Sequence, residues 1–178
     1  MNEAVELSAE RVDLVPFEVG HLDELHRLWT DPDVRRFLWD DEVISREVAA
    51  EVIESSRASF REHGFGFWVV RLRETNESIG FAGLRRFGDQ DEVELLYGLF
   101  PAHWGKGLAT EASRRLIRFA FDDLGFPELF AGADTPNEAS FRVMRRLGFR
   151  HHGERNIDGK AATYFVIRGE FSATDEHG

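Results

Sequence analysis

The chain has 178 residues, 42% hydrophobic and 12% aromatic, and 33 acidic against 22 basic side chains leave a formal net charge of −11. That length fills one core well and is short for two, while so acidic a surface lacks the basic face that a phosphate backbone requires, so no nucleic-acid partner is expected. No apolar run approaches the ~18 residues of a bilayer span, and with no cysteine there is no disulfide, no thiolate zinc site and no cysteine nucleophile.

The opening "MNEAVELSAERVD" lacks the basic-then-apolar order of a secretory signal, so a soluble, cytoplasmic protein without a membrane partner is expected. Residues 1–178 read as one domain, with 1–10 and 172–178 as mobile ends. Val12, Leu14 and Val15 form a short strand before Pro16, and Leu22, Leu25, Leu28 and Trp29 then recur at helical spacing until "TDPDV" supplies a stop and a new cap. Val48, Val52, Ile53 and Phe60 mark a longer helix ending near His63-Gly64. Beyond Gly66 the period falls to two: Phe67 to Leu72, the polar turn "ETNES", then Ile79, Phe81 and Gly83 make a hairpin. Trp39, Phe65, Phe67 and Trp68 are candidates for an acceptor pocket or for the core. In "EVELLYGLF", Val93, Leu95, Tyr97 and Leu99 share one face of a strand, and Glu92, Glu94, Leu96 and Gly98 share the other.

Pro101 ends that strand, and "HWGKGLATEA" opens a helix whose apolar stripe runs from Leu108 through Ala112, Leu116 and Phe119 to Leu124, after which "ELFAGAD" reads as another strand. Strand, glycine-rich turn, helix and strand make a βαβ unit with parallel strands and a right-handed crossover. Glycine there lets a ligand approach bare backbone, and the unpaired N–H groups at the helix start favour an anion, phosphate above all. Two nucleotide readings weaken: a Walker loop because Gly107 follows Lys106 and Phe100 stands where its first glycine would be, and a dinucleotide fingerprint because Thr110 stands where glycine is needed. Thr135-Pro136-Asn137-Glu138 supplies a capping threonine and first-turn proline for a further helix, closed by Arg145, Arg146 and Gly148. Asp158-Gly159 marks a hairpin turn before the strand in "ATYFVIRGEF". The seven histidines lack metal-ligand spacing, His151 and His152 being adjacent.

"LYGLFPAHWGKGLATEA" followed by "NEASFRVMRRLGF" resembles the acyl-CoA-binding motifs of the GNAT superfamily of N-acetyltransferases, in particular its RimJ/RimL-like branch. The family pattern [QR]-x-x-G-x-[GA] falls on Trp104, Gly105, Lys106, Gly107, Leu108 and Ala109, with Trp104 departing at the first position in a way familiar in that branch. The resemblance implies an α/β (α+β) fold: a mixed, mostly antiparallel twisted sheet of six or seven strands flanked by helices, with a V-shaped splay between the parallel strands of the cofactor unit. It also implies acetyl-CoA as cofactor, its diphosphate held by N–H groups from Lys106 to Thr110. Asn137 would hold the pantetheine arm and Ser140 would lie near the sulfur or phosphates. Many relatives place an acidic tyrosine seven residues after that asparagine. Here the residue is Met144, so Ser140 or a water would protonate the leaving thiolate.

An amine attacks a thioester only when neutral, so a carboxylate base is needed. Glu94 is the candidate, through water, with Glu92 and His103 in reserve. Backbone N–H groups near Leu96 and Tyr97 would hold the oxyanion if the strands splay, as a bulge beside Gly98 would allow. Tyr97 would line the thioester slot or join the core. The expected partner is an amine, a protein N-terminus or a small molecule, with a homodimer compatible. Three classes stay open: an acetyl-CoA-dependent N-acetyltransferase, a catalytically silent acyl-CoA-binding module, and an interaction protein with a merely structural glycine turn.

Overall fold

A computed structural model describes residues 3–87, 91–134, 137–157 and 159–169. In chain order the strands are β1 (Leu7–Ser8), β2 (Val12–Pro16), β3 (Phe67–Leu72), β4 (Ser78–Phe87), β5 (Glu92–Leu99), β6 (Glu128–Asp134), β7 (Arg150–Ile157) and β8 (Lys160–Arg168). The helices are α1 (Leu22–Thr30), α2 (Pro32–Leu38), α3 (Arg46–His63), α4 (Leu108–Arg118) and α5 (Glu138–Leu147). One sheet has the order β1-β2-β3-β4-β5-β6-β8-β7, antiparallel at every pairing except β5–β6. The mixed fold expected from the sequence is therefore present, with eight strands among the described residues rather than six or seven. The added strand is the two-residue β1, too short to leave a periodic signal.

Alternation along the strands builds a core on each face of the sheet. Trp68, Val70, Ala82 and Leu84 point to the face covered by α4 and α5, where they meet Leu108, Ala112, Leu116, Phe141 and Met144. Val69 and Phe81 point the other way, against Leu25, Leu28 and Trp29 of α1, Val34 of α2 and Ile53 of α3. Phe65 and Trp68 are fully buried in the first cluster, and Phe67 and Trp39 pack against the second, so all four serve the core.

Helix boundaries follow local chemistry. Asp31 caps α2 by accepting from the Asp33 N–H at 2.9 Å, with Pro32 at the first helical position. Ser45 caps α3, and Gly64, at φ +82°, ends it in the left-handed conformation. Thr135 and Pro136 lie outside the described residues. The expected threonine cap is replaced by Asn137, whose side chain accepts from the Ser140 N–H at 3.1 Å and starts α5 at Glu138. Asp158 and the segment 172–178 also lie outside the described residues, though Ile157 pairs with Lys160 across a tight hairpin. Residues 5–8, expected to be loose, are tied down: Leu7 is buried and the Val5 carbonyl accepts the Trp68 indole N–H at 2.7 Å. Among the described residues no helix is long and apolar enough to cross a membrane.

The centre of the α4 stripe is Leu116, with no exposed surface. Leu116→Ala is expected to lower the unfolding free energy by about 2–5 kcal/mol, read as a lower urea midpoint with an unchanged slope.

Candidate active site

The one parallel junction, β5 with β6, pairs only at Glu94 and Phe130. Beyond it β5 continues through Leu99 without β6, and the two strands part. No bulge at Gly98 is needed: the β4–β5 register runs unbroken from Gly80–Leu99 to Phe87–Glu92. A cavity of about 490 Å³ occupies the gap. Leu95, Tyr97 and Leu99 line it from one face of β5, Leu96 and Gly98 from the other, and Gly132 and Ala133 from β6, so it runs through the sheet. One mouth is walled by Val34, Phe37 and Leu38 of α2; the other by α5 and the start of α4.

Phe100 donates its N–H to Ile79 of β4 at 2.9 Å. Alternation then directs the N–H groups of Gly98 and Leu96 to β4 and those of Tyr97 and Leu99 toward the gap. Of the two amides singled out in the sequence, Tyr97 faces the gap and Leu96 is spent inside the sheet.

At the cofactor turn Gly105 and Gly107 take φ +73° and +76°, and Gly107 is the N-cap of α4 without any side-chain acceptor for the helix's first amides. Those amides therefore keep their hydrogen-bonding capacity at the positive end of the helix dipole. No neighbour lies within 4 Å of where a Gly105 side chain would begin, so the turn stands open. Gly105, Gly107, Leu108, Ala109 and Thr110 line the cavity, as do Trp104 and His103. Trp104 is half exposed and donates its indole N–H to the Leu99 carbonyl at 2.8 Å, fixing the turn to the end of β5.

Across the cavity, the Tyr97 hydroxyl lies 2.7 Å from Ser140 Oγ and 3.2 Å from the Ser140 carbonyl. Burial pushes the Tyr97 hydroxyl up to about 12, the Ser140 hydrogen bond opposing the shift. Asn137, Ala139, Ser140 and Val143 line the same wall, with Arg142 and Arg146 beside them. Neither arginine has an ion-pair partner among the described residues. Met144 is buried in the core.

Glu94 is 4% exposed and is not among the residues lining the cavity. It sits at the closed end of the gap, hydrogen-bonded through Oε1 to Arg85 Nε at 2.5 Å. Glu92 accepts two hydrogen bonds from Arg155, at 3.1 and 3.3 Å. The Tyr164 phenol is raised by burial first and by the neighbouring Glu94 carboxylate second. His103 Nε2 lies 3.6 Å from Glu77. Sequence reasoning missed the α2 wall, the Tyr97–Ser140 pair and Arg142; on this wall it had singled out Asn137 and Ser140, three positions apart in the first turn of α5. No group of side chains suited to a metal ion occurs among the described residues.

The family model described as Acetyltransferase (GNAT) domain matches residues 11–150. The chain is 28% identical over 148 residues to the uncharacterized N-acetyltransferase p20 of Bacillus licheniformis, covering 83% of each. It is 26% identical over 165 residues to spermidine N(1)-acetyltransferase of Escherichia coli K12, covering 92% of this chain and 83% of that one. In fold it matches RimL, a ribosomal L7/L12 α-N-protein acetyltransferase solved with coenzyme A, with a TM-score of 0.79, 16% identity and coverage of 92% and 98%. With the family model spanning most of its length, the chain belongs to the GNAT acetyltransferase family and is an acetyl-CoA-dependent N-acetyltransferase.

Proposed function

We propose that this chain is a RimJ/RimL-like N-acetyltransferase in which donor and acceptor meet inside the β5–β6 gap, the donor entering between α4 and α5 and the amine entering past α2. The observation that carries this reading is a cavity that passes through the sheet, with uncapped helix amides at one mouth and Asp33, Val34, Phe37 and Leu38 of α2 at the other. The likeness to RimL in fold supports the branch; the spermidine acetyltransferase likeness in sequence keeps small cationic amines beside protein N-termini as acceptors.

The residues at the cofactor mouth fit acetyl-CoA. Of the expected amides, those of Gly107 to Thr110 line the cavity and would take its diphosphate, Lys106 not being among the lining residues; Asn137 would take its pantetheine arm, and the cationic Arg142 and Arg146 add attraction for its phosphates. When bound, it supplies a thioester carbonyl open to attack by a neutral amine. The chain provides three things for that attack. The Tyr97 N–H faces the gap as a hydrogen-bond donor for the carbonyl oxygen. The Tyr97 hydroxyl, pushed up to about 12 by burial and backed by Ser140, keeps its proton at neutral pH and donates it to the sulfur as the C–S bond breaks, to be re-protonated from solvent. Glu94, with one oxygen held by Arg85, receives the amine's proton through water.

Acetyl-CoA at about a hundred times its Kd is expected to stabilise the protein by about 2.7 kcal/mol, seen as a rise in Tm, and an amine screen read by free-thiol release should give turnover only with particular amines. A rise in Tm without thiol release for any amine would leave a binding module in place of the enzyme. Tyr97→Phe is expected to lower kcat about 100-fold while leaving the KM for acetyl-CoA nearly unchanged. In the wild-type enzyme this hydroxyl adds no alkaline loss of rate below about pH 10, because its proton leaves only near 12. Glu94→Gln should slow turnover about tenfold or more at neutral pH and progressively less as the pH approaches the acceptor's own pKa; an unchanged rate and pH profile would remove Glu94 as the base.

A further inference from the structure

The cofactor turn is held from behind by a residue nearly a hundred positions away. Arg11 lies in the turn between β1 and β2. Its Nη1 donates to the Lys106 carbonyl at 3.0 Å, its Nε to Glu111 Oε1 at 2.8 Å, and its backbone N–H to Glu111 Oε2 at 2.7 Å. Arg11 is itself anchored: its carbonyl accepts from the Arg73 N–H at 2.9 Å, while Arg115 of α4 donates to the Ser8 carbonyl at 3.1 Å. We propose that Arg11 is a positioning residue for cofactor binding, a latch that turns the Lys106–Gly107 peptide so that its N–H meets the diphosphate and that neutralises Glu111 beside it.

Two physical arguments carry this. The peptide between Lys106 and Gly107 is trans, so its C=O and N–H point to opposite sides. Drawing the Lys106 oxygen toward Arg11 aims the Gly107 N–H the opposite way, and Gly107 is among the residues lining the cavity. The second argument is charge. Glu111 sits in the first turn of α4, its N–H bonded to the Gly107 carbonyl at 3.0 Å. A carboxylate there suits the helix dipole but repels an arriving diphosphate. Arg11 engages both its oxygens, and Glu111 is largely buried, so the repulsion is met by a fixed counter-charge. A lysine keeps the backbone N–H to Oε2 but lacks the planar fork that reaches Glu111 Oε1 and the Lys106 carbonyl at once.

This inference rests on the diphosphate grip proposed above, and the test separates the two. Kd for coenzyme A and for pantetheine, and KM and kcat with acetyl-CoA and with S-acetyl-pantetheine, which lacks the diphosphate, are measured for wild type, Arg11→Ala and Arg11→Lys. Arg11→Ala is expected to weaken coenzyme A about tenfold and to raise the KM for acetyl-CoA in proportion, with kcat and every pantetheine parameter changed by less than about twofold. Arg11→Lys should lose about threefold, again only with the diphosphate-bearing ligand, and gives the same reading if the alanine variant does not fold. Unchanged coenzyme A affinity in both variants, or equal losses with both donors, overturns the latch. Wild-type protein that binds coenzyme A no better than pantetheine overturns the diphosphate grip, and the latch with it.

Discussion

β5 and β6 meet at Glu94 and Phe130 and then diverge, and the rest of the molecule is arranged around that parting. In a continuous sheet every interior strand amide is consumed by its neighbour. Here the edge of β5 that carries Tyr97 loses its partner in the middle of the sheet, which would be costly without a ligand or solvent to satisfy it. The same parting opens a passage between two faces that are otherwise sealed by separate hydrophobic clusters. In the proposed reaction this lets two reactants meet from opposite sides while each helical layer keeps its own packing.

The electrostatics follow the same division. A chain of net charge −11 must still receive a polyanionic donor. In the proposed reading fixed local dipoles and a few placed cations do this: the bare start of α4, Arg142 and Arg146 along α5, and Arg11 behind the turn. The acidic surplus elsewhere suits approach of an ammonium-bearing acceptor, which is charged until the moment it must react. The two carboxylates of β5 are individually paired, Glu94 with Arg85 and Glu92 with Arg155.

Where structure is local, the sequence was readable. Each of the helices α1 to α4 and the strands β2 to β6 announces itself through periodicity, a cap or a glycine, and the βαβ order around "HWGKGLATEA" is a consequence of contiguous residues. Features made by residues far apart were not readable. The Tyr97–Ser140 contact joins positions 43 apart, and the Arg11–Glu111 pair joins positions 100 apart. Glu94 shows the limit most clearly: alternation placed it on the right strand face, but only the fold reveals that Arg85 already holds one oxygen and that it lies at the closed end of the gap. At the start of α5 two residues carried capping chemistry, and the asparagine rather than the threonine takes the Ser140 amide.

The rims of the sheet have a consequence for self-association. Among the described residues β1 is two residues long, and β7 is interrupted by an irregularity between His151 and Gly153 and carries Arg150, Glu154 and Arg155. Short, kinked and charged borders are poor templates for a neighbouring chain's hydrogen bonds. If two copies join, they do so by packing helices or loops together, not by extending one continuous ribbon across the pair.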